Sequence, residues 1–509
     1  MIESRLYGSL VTMKTLQDLL SDTIIISGQE KLTQTITKIT SSSKQIDNNS
    51  LFIAEKGIRH DGHQFISEAI NKKAAAIVLE NDSIVVSKYT GVIAKVPSTR
   101  KFICELASRF YNYPSSKLFC VGVTGTNGKT STTYIIEWLL NQNQISTGVI
   151  GTINHHLKDK MWETTHTTPD PISLQERLNE FVNEGAKALA IEVSSHAIDQ
   201  FRVNELQFDV AIFTNLTRDH LDYHITMENY FASKNKLFSD LLPQSKKQRK
   251  AAFLNGDDPW VQKVEVPVKI SKYFFGQNPK HDLYFEILSM EFGFTKFKLI
   301  SPWGTEIFKS PLVGLHNVYN VVGAIGACLF KGIKITTIKK NLESFTGIPG
   351  RLQLVLNTSA QKQKFIFIDY AHTPDALENV LKSLVKLKTK SHLNSKIITV
   401  FGCGGDRDKG KRPLMAAIAE TYSDHVIVTS DNPRTEEPIK IIEEIEIGFK
   451  DKNYDSIENR KLAIQHALKI SNINDVVLIA GKGHETYQII GKEKFYFNDY
   501  ELAWELYNE

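Results

Sequence analysis

Apolar runs that stop abruptly in polar loops recur along this chain. Phe119–Val123 runs into Thr124–Thr130, Ala188–Ile191 into Glu192–His196, Val210–Phe213 into Thr214–His220, and Ala251–Leu254 into Asn255–Pro259. The same grammar returns later. Phe365–Ile368 leads into Asp369–Pro374, Ile397–Phe401 into Gly402–Gly410, Val426–Thr429 into Ser430–Arg434, and Val476–Ala480 into Gly481–Glu485. Runs that are apolar throughout, rather than alternating, predict strands buried on both faces. With helical patterns between them they predict an α/β fold whose parallel sheets are covered on each side. Ligands of such sheets sit beyond the carboxyl ends of the strands, and all of these polar loops fall there.

The pattern divides the chain into three segments. Residues 1–117 alternate short apolar runs, Leu51–Ala54 and Ala74–Leu79, with a helical stretch at Phe65–Ile70, which reads as a small α/β unit. Turn residues at Tyr113–Ser116 predict a linker. Residues 118–346 and 347–509 each carry one round of the strand-and-loop grammar, the last opening near Gly347–Arg351. Met13–Leu20 reads as a helix start, and the residues before Met13 as an upstream extension. Val321–Phe330 is the most apolar run; it is far shorter than the ~20 residues a bilayer requires and reads as a buried helix.

Composition narrows the function classes. A chain of 509 residues can bury several cores without disulfides or structural metals. Lys+Arg 61 against Asp+Glu 57 leaves +4, which argues against bulk binding of a nucleic-acid backbone. The lysine-rich stretches Lys246–Lys250 and Lys382–Lys396 read as solvated surface. Four cysteines, Cys104, Cys120, Cys328 and Cys403, lie far apart, which fits a reducing compartment. Charged residues interrupt the first twenty positions, so no signal peptide is expected, and the protein is read as cytoplasmic and monomeric, without a membrane span.

Gly125-Thr126-Asn127-Gly128-Lys129-Thr130 follows one of the apolar runs and precedes the helical run Thr132–Leu140. Glycines let backbone N–H groups turn toward a polyphosphate, and the helix N-terminus adds partial positive charge. Lys129 would neutralise the β/γ-phosphates and the Thr130 hydroxyl would ligate Mg²⁺. Val123 stands where the general phosphate-loop pattern has its first glycine. Magnesium takes oxygen ligands. Glu192 and His220 fall at the same sheet end as Thr130, although Glu192 reads equally as a helix-capping acid and His220 as an ordinary loop histidine.

Taken in order, Gly125–Thr130, Glu192–His196, Asn215–His224, Gly314–Asn317, Pro349–Arg351 and Asp369–His372 resemble the Mur ligases of peptidoglycan synthesis over essentially the whole chain. Gly404–Arg412, Asp431–Arg434 and Gly481–Glu485 resemble the MurE type, the third amino-acid-adding member. The resemblance implies three domains: an N-terminal UDP-binding domain, a central ATPase domain of phosphate-loop type and a C-terminal Rossmann-like domain. It also implies an ATP-dependent amide ligase in cell-wall synthesis, and hence in cell shape and division. The enzyme would add meso-diaminopimelate to UDP-N-acetylmuramoyl-L-alanyl-D-glutamate through an acyl phosphate, with Mg²⁺ as cofactor. Two anions meet in the first step, so cations should crowd the site. Closure of the domains is expected, because ATP and the amino acid fall to different segments.

Residue by residue, the resemblance implies that Lys234 in Tyr230–Phe238 is carbamylated and joins Thr130, Glu192 and His220 at the metal, with Lys236 as the nearby wrong choice. It assigns ATP contacts to Gly125 through Ser131, Asn317, Arg351, Asp369 and His372. It assigns the UDP-linked substrate to Ser43, Thr167, Thr168, Ser194, Gln200 and Arg202. Ser194 and Ser195 could instead be helix caps, Ser195 the more so, and His372 a structural loop residue. Ser42-Ser43-Lys44 departs from the family's Asp-Ser-Arg, keeping only the hydroxyl, and Asp61–Phe65 matches the loop that follows.

Diaminopimelate differs from lysine by a distal carboxylate, so a selective enzyme needs a cation aimed at it. Arg434 fits, because guanidinium grips carboxylate with two parallel hydrogen bonds. The resemblance adds Arg407, Asp431, Asn432, Pro433, Gly481 and Glu485, the last balancing the distal ammonium. Arg434 could instead pair locally with Glu436 or Glu437. A lysine-adding ligase on the same scaffold, a folylpolyglutamate synthase and a non-catalytic nucleotide-binding regulator are the competing readings.

Overall fold

The computed structural model describes residues 13–57, 60–81, 89–164, 166–357, 364–391, 395–451 and 453–508. The proposed extension before Met13 lies outside them. The described residues form two compact units. One runs to Phe275 and includes Gly326–Lys331; the other comprises Gly276–Ile325 and everything from Gly332.

Two larger sheets frame the first unit. The smaller has the order Ile24–Ser27, Val92–Lys95, Ala76–Leu79, Ser50–Ile53, Lys38–Thr40, all parallel except the antiparallel edge strand Ile24–Ser27. Alternate residues of its strands face two cores. Leu51, Ile53, Val78 and Ala94 pack with Phe102 and Leu106 of the helix Thr99–Phe110; Phe52, Ile77 and Leu79 pack with Ile66 and Ala69 of the helix Ile66–Asn71. In the larger sheet six strands run parallel in the order Thr147–Ile150, Ala188–Glu192, Phe119–Thr124, Val210–Phe213, Ala251–Asn255, Ser271–Gly276. The antiparallel strands His155–Leu157 and Lys160–Trp162 extend it beyond Thr147–Ile150. The chain winds to one side of Phe119–Thr124 and then to the other. That reversal puts the loops after Phe119–Thr124, Ala188–Glu192 and Val210–Phe213 around one crevice, the position at which open α/β sheets bind ligands.

The second unit opens with an antiparallel meander, Leu283–Glu291, Phe294–Ser301 and Gly304–Ser310. Its other sheet has the order Gln353–Val355, Phe365–Asp369, Val476–Ala480, Ile397–Phe401, His425–Val428, Tyr454–Ser456, parallel but for the first strand. Helices Pro374–Ser391, Lys411–Tyr422 and Pro438–Glu446 cover one face, and Arg460–Ile470 and Asp499–Asn508 the other. A two-stranded hairpin, Tyr487–Ile490 with Glu493–Tyr496, follows the loop after Val476–Ala480.

Several local expectations change. Met13–Leu20 is not one helix: Lys14–Thr15 is a strand paired with Thr35–Ile36, and the helix is only Leu16–Leu19, closed by a capping box between Thr15 and Asp18. The linker at Tyr113–Ser116 is packed, since Pro114 and Ser115 are buried in a 3₁₀ turn and the Ser115 hydroxyl accepts from the Gln207 N–H at 3.1 Å. Lys247 and Lys250 are not simply solvated; each folds back to donate to main-chain carbonyls, of Ser116 and of Pro243 and Ser245. Val321–Phe330 lies inside the helix Leu315–Lys331, and among the described residues no helix is long and apolar enough to cross a membrane.

Candidate active site

The strand Phe119–Thr124 ends in Gly125, whose φ of +144° is open to glycine; a Cβ there would stand 2.0 Å from the Thr214 hydroxyl. Gly128 opens the helix Lys129–Asn141. Neighbouring loops hold the turn in shape. The Thr126 N–H donates to the Asn215 carbonyl at 2.9 Å, the Asn127 N–H to Asn215 Oδ1 at 3.0 Å, and the Thr214 hydroxyl to the Asn127 carbonyl at 2.6 Å. Val123, where a longer loop would have its glycine, is a fully buried strand residue, so the turn begins only at Gly125. Lys129 Nζ donates to the Gly125 and Thr126 carbonyls at 2.9 and 2.8 Å. The first-turn amides of such a helix make it a ready anion site.

Lys234 arrives from another element. It is the eighth residue of the helix Met227–Lys236, is 2% exposed, and donates to the same Gly125 carbonyl at 2.9 Å while lying 4.6 Å from the Tyr230 ring. Burial, with the Lys129 charge alongside, holds its ammonium well below the usual lysine range, and Asp219 opposes this. Lys236 is half a turn away and points out, 3.6 Å from Asp199.

Glu192 closes the strand Ala188–Glu192 and is 1% exposed. It is not a helix cap. Its two oxygens accept from the Thr152 N–H and hydroxyl at 2.9 and 3.0 Å. The cap of the helix Ser195–Asp199 is Ser194, whose hydroxyl accepts from the Ala197 N–H. Ser195, the stronger cap candidate from sequence, instead meets His224 Nε2 at 2.9 Å. His220 takes a left-handed turn (φ +53°) before Leu221–His224, and its exposed ring stands edge-on to His196 at 4.9 Å.

Thr167, Thr168, Ser194, Gln200 and Arg202 line one cavity of about 750 Å³, with His220 at its wall. Arg202 is braced by the Thr168 carbonyl and Gln200 Oε1, both at 2.7 Å. The sequence reading missed Glu55, Arg100 and Asp170, which also line it; single charged residues without a motif gave no signal. Ser43 is not brought there: its hydroxyl donates to Glu68 at 2.7 Å in the smaller sheet's region.

Magnesium can be tested on this donor set. Among the described residues no three His, Cys, Asp or Glu side chains form a metal cage. A buried carboxylate at Glu192, held by Thr152, suits a cation held mainly by phosphate oxygens and water, the usual magnesium arrangement. An ammonium at Lys234 does not; an oxygen anion there would.

In the second unit Asp369 ends its strand and accepts from the Leu352 and Ala371 N–H groups at 2.7 and 2.9 Å. Burial pushes its carboxyl up, opposed by Arg351 and the two amides. Arg351 lies 5.4 Å from the Tyr370 ring, and His372 Nδ1 meets the Tyr370 carbonyl at 2.8 Å. Asn317 is buried, and its amide donates to the Val313 carbonyl at 2.8 Å.

The loops after three strands of that unit meet as the grammar predicts. Arg434 has φ +50° and Nη1 donates to the Gly405 carbonyl at 2.8 Å. It is not paired with Glu436 or Glu437. Glu436 is gripped by the fully buried Arg412, its carboxyl held down to about 2, and Glu437 pairs with Lys440. Arg407 is exposed on the same loop and reaches the Asp406 carbonyl at 3.2 Å. Gly481, at φ +115°, is pressed on Asp431; a Cβ would lie 2.6 Å from its Oδ2. The Asn432 amide donates to Glu485 Oε2 at 2.9 Å, and the hairpin locks the turn through Arg434 N–H to Ile489 carbonyl at 3.1 Å, just beyond Pro433. Arg412 and Lys482 were not singled out from sequence. The only available signal for Lys482 was a lysine between two glycines straight after an apolar strand.

Comparison with known proteins agrees along the chain. Residues 35–111 match the model "Mur ligase family, catalytic domain", 123–328 "Mur ligase middle domain" and 350–483 "Mur ligase, glutamate ligase domain". A UDP-N-acetylmuramoyl-L-alanyl-D-glutamate–2,6-diaminopimelate ligase of Geobacter sulfurreducens is 41% identical over 500 residues, covering 95% of this chain and 96% of that protein. The protein of the same name from Bacillus cereus is 41% identical over 92% of this chain and 94% of its own. A solved structure with that name superposes at a TM-score of 0.72, with 30% identity over 97% of this chain and 98% of the other.

Proposed function

The chain belongs to the Mur ligase family, and on that premise we infer that it is an ATP-dependent ligase that adds 2,6-diaminopimelate to UDP-N-acetylmuramoyl-L-alanyl-D-glutamate in peptidoglycan precursor synthesis. The observation that carries the reading is the meeting of Lys129 and Lys234 on the Gly125 carbonyl, beside an N-terminal helix turn and the buried Glu192. That is a site for polyphosphate. The cavity holding Arg202, Thr168 and Ser194 beside it takes the anionic dipeptide.

A free carboxylate is a poor electrophile. Transfer of the γ-phosphoryl to the D-glutamyl carboxylate gives an acyl phosphate and ADP; attack by the amine forms the amide and releases phosphate. Lys129 and the helix amides gather negative charge that grows as phosphate moves. Thr130, Glu192 and His220, with Lys234 as a carbamate, would hold Mg²⁺, which supplies charge neutralisation when bound. Burial supports the carbamate: a neutral amine adds CO₂, losing one proton and becoming an oxygen anion.

Asp431 to Arg434, Arg407, Gly481 and Glu485 are assigned to the amino acid, and Asn317, Arg351, Asp369 and His372 to ATP. Ser43 is assigned to the UDP moiety. The domain division 1–117, 118–346 and 347–509 is part of the same proposal, as are action as a monomer and, from four buried unpaired cysteines and the nucleotide substrates, a cytoplasmic site. The deciding experiment offers purified protein ATP, the UDP-dipeptide, and diaminopimelate and lysine in competition, and weighs the product. Lysine product would move the chain to the lysine-adding reading; no ATP hydrolysis dependent on the UDP-dipeptide would leave a non-catalytic binder.

A further inference from the structure

Lys482 has no exposed surface, although it lies in a loop at the edge of the proposed amino-acid site. Its Nζ donates to Asn432 Oδ1 and to Glu485 Oε2, both at 3.0 Å. Asn432 Oδ1 also accepts from the Ile489 N–H at 2.9 Å, so the amide is oriented with Nδ2 toward Glu485, which it reaches at 2.9 Å. Both side-chain donors therefore converge on Oε2, and Oε1 is the oxygen left for a ligand.

A buried lysine is costly unless its charge is met, and here it is met by the one carboxylate that would receive a ligand's distal ammonium. That has a consequence for selectivity. An uncompensated Glu485 would attract the side-chain ammonium of lysine and of diaminopimelate alike. With Lys482 against it, the ammonium becomes a weak handle, and the distal carboxylate facing Arg434 and Arg407 decides between the two amino acids.

Resting on the ligase reading above, we propose that Lys482 is a positioning and specificity-determining residue, which by neutralising Glu485 and fixing its rotamer makes the site reject L-lysine. It touches neither reacting group.

The test measures kcat/KM for diaminopimelate and for L-lysine, the KM for ATP and the melting temperature, in wild type, Lys482→Met, Glu485→Gln and the double variant. Lys482→Met should narrow the preference for diaminopimelate by about tenfold or more, through the KM of the amino acids, with the KM for ATP unchanged. Glu485→Gln, which keeps the buried cation, should widen the preference by lowering lysine use more than diaminopimelate use. The double variant should return toward the wild-type ratio. An unchanged ratio in Lys482→Met, or equal loss for both amino acids, overturns the proposal. If Lys482→Met does not fold, Glu485→Gln decides it: a ratio that stays put or narrows overturns it. Wild-type protein that ligates neither amino acid removes the ligase reading and this inference together; a selective wild type with insensitive variants removes the inference alone.

Discussion

Lys129 and Lys234 donate to one oxygen, the Gly125 carbonyl, each at 2.9 Å. Two ammonium groups sharing an acceptor repel one another, and the buried one yields: Lys234 is held well below its ordinary range, first by burial and then by Lys129. That shift runs in the direction the proposed carbamylation of Lys234 requires, since the amine must give up its proton to take up CO₂.

Lys129→Ala should lower UDP-dipeptide-dependent phosphate release by at least ~10³-fold, the scale of losing a main electrostatic contact in phosphoryl transfer. Activity near normal would remove the phosphate-loop assignment.

Lys234→Ala should abolish turnover, whereas Lys236→Ala, on an exposed side chain near Asp199, should retain most of it. Protein equilibrated with ¹³C-bicarbonate should show one carbamate carbon resonance that Lys234→Ala lacks. Survival of that resonance in the variant would assign the modification elsewhere.

Arg434→Ala should weaken diaminopimelate use by about 1–3 kcal/mol, the cost of leaving a carboxylate without its partner. The KM for ATP should hold. Equal losses toward both substrates would make Arg434 a loop brace, in keeping with its bond to the Gly405 carbonyl.

Arg460 and Asp499 are both fully buried and joined by two hydrogen bonds of 2.8 and 2.7 Å, tying Arg460–Ile470 to Asp499–Asn508. Arg460→Leu should destabilise by about 3–5 kcal/mol, because Asp499 is left buried and alone; Arg460→Leu with Asp499→Leu should recover part of that. Thermal melting of the three proteins checks it, and a double variant no better than the single would contradict it.

His155 is 6% exposed, and burial, then Arg177 and His156, lowers its pKa to about 4 from an ordinary 6.5. Its folded-state pKa is depressed, so between pH 6.5 and 4 the unfolded chain takes up a proton that the folded chain refuses. Stability from this group is present above pH 6.5 and falls as pH drops through that window, by up to about 3 kcal/mol. His155→Phe should flatten the decline in melting temperature between those pH values; an unchanged slope would refute the assignment.

Much of the fold was legible because buried parallel strands need uninterrupted apolar runs. Val210–Phe213, Ile397–Phe401 and Val476–Ala480 have the boundaries their sequences predict. The phosphate loop was legible for a related reason, since glycine is required wherever the backbone must turn as it does at Gly125. Met13–Leu20 misled because eight residues with helical spacing also suit a strand that pairs and then turns. Ser195 ranked above Ser194 as a cap and the structure reverses the order, because the choice depends on where the chain enters the helix rather than on residue type.

From sequence alone came the order of strands and loops, the location of the polar loops at the strand ends, and the motif resemblance, all consequences of local pattern. Only the tertiary structure decided which charges are buried against which partners. It separated Lys234 from Lys236, gave Glu436 to Arg412 rather than to Arg434, and seated Lys482 between Asn432 and Glu485. Desolvation, hydrogen bonding and ion pairing act across space between residues far apart in the chain, 109 positions for Gly125 and Lys234, and no local pattern encodes them.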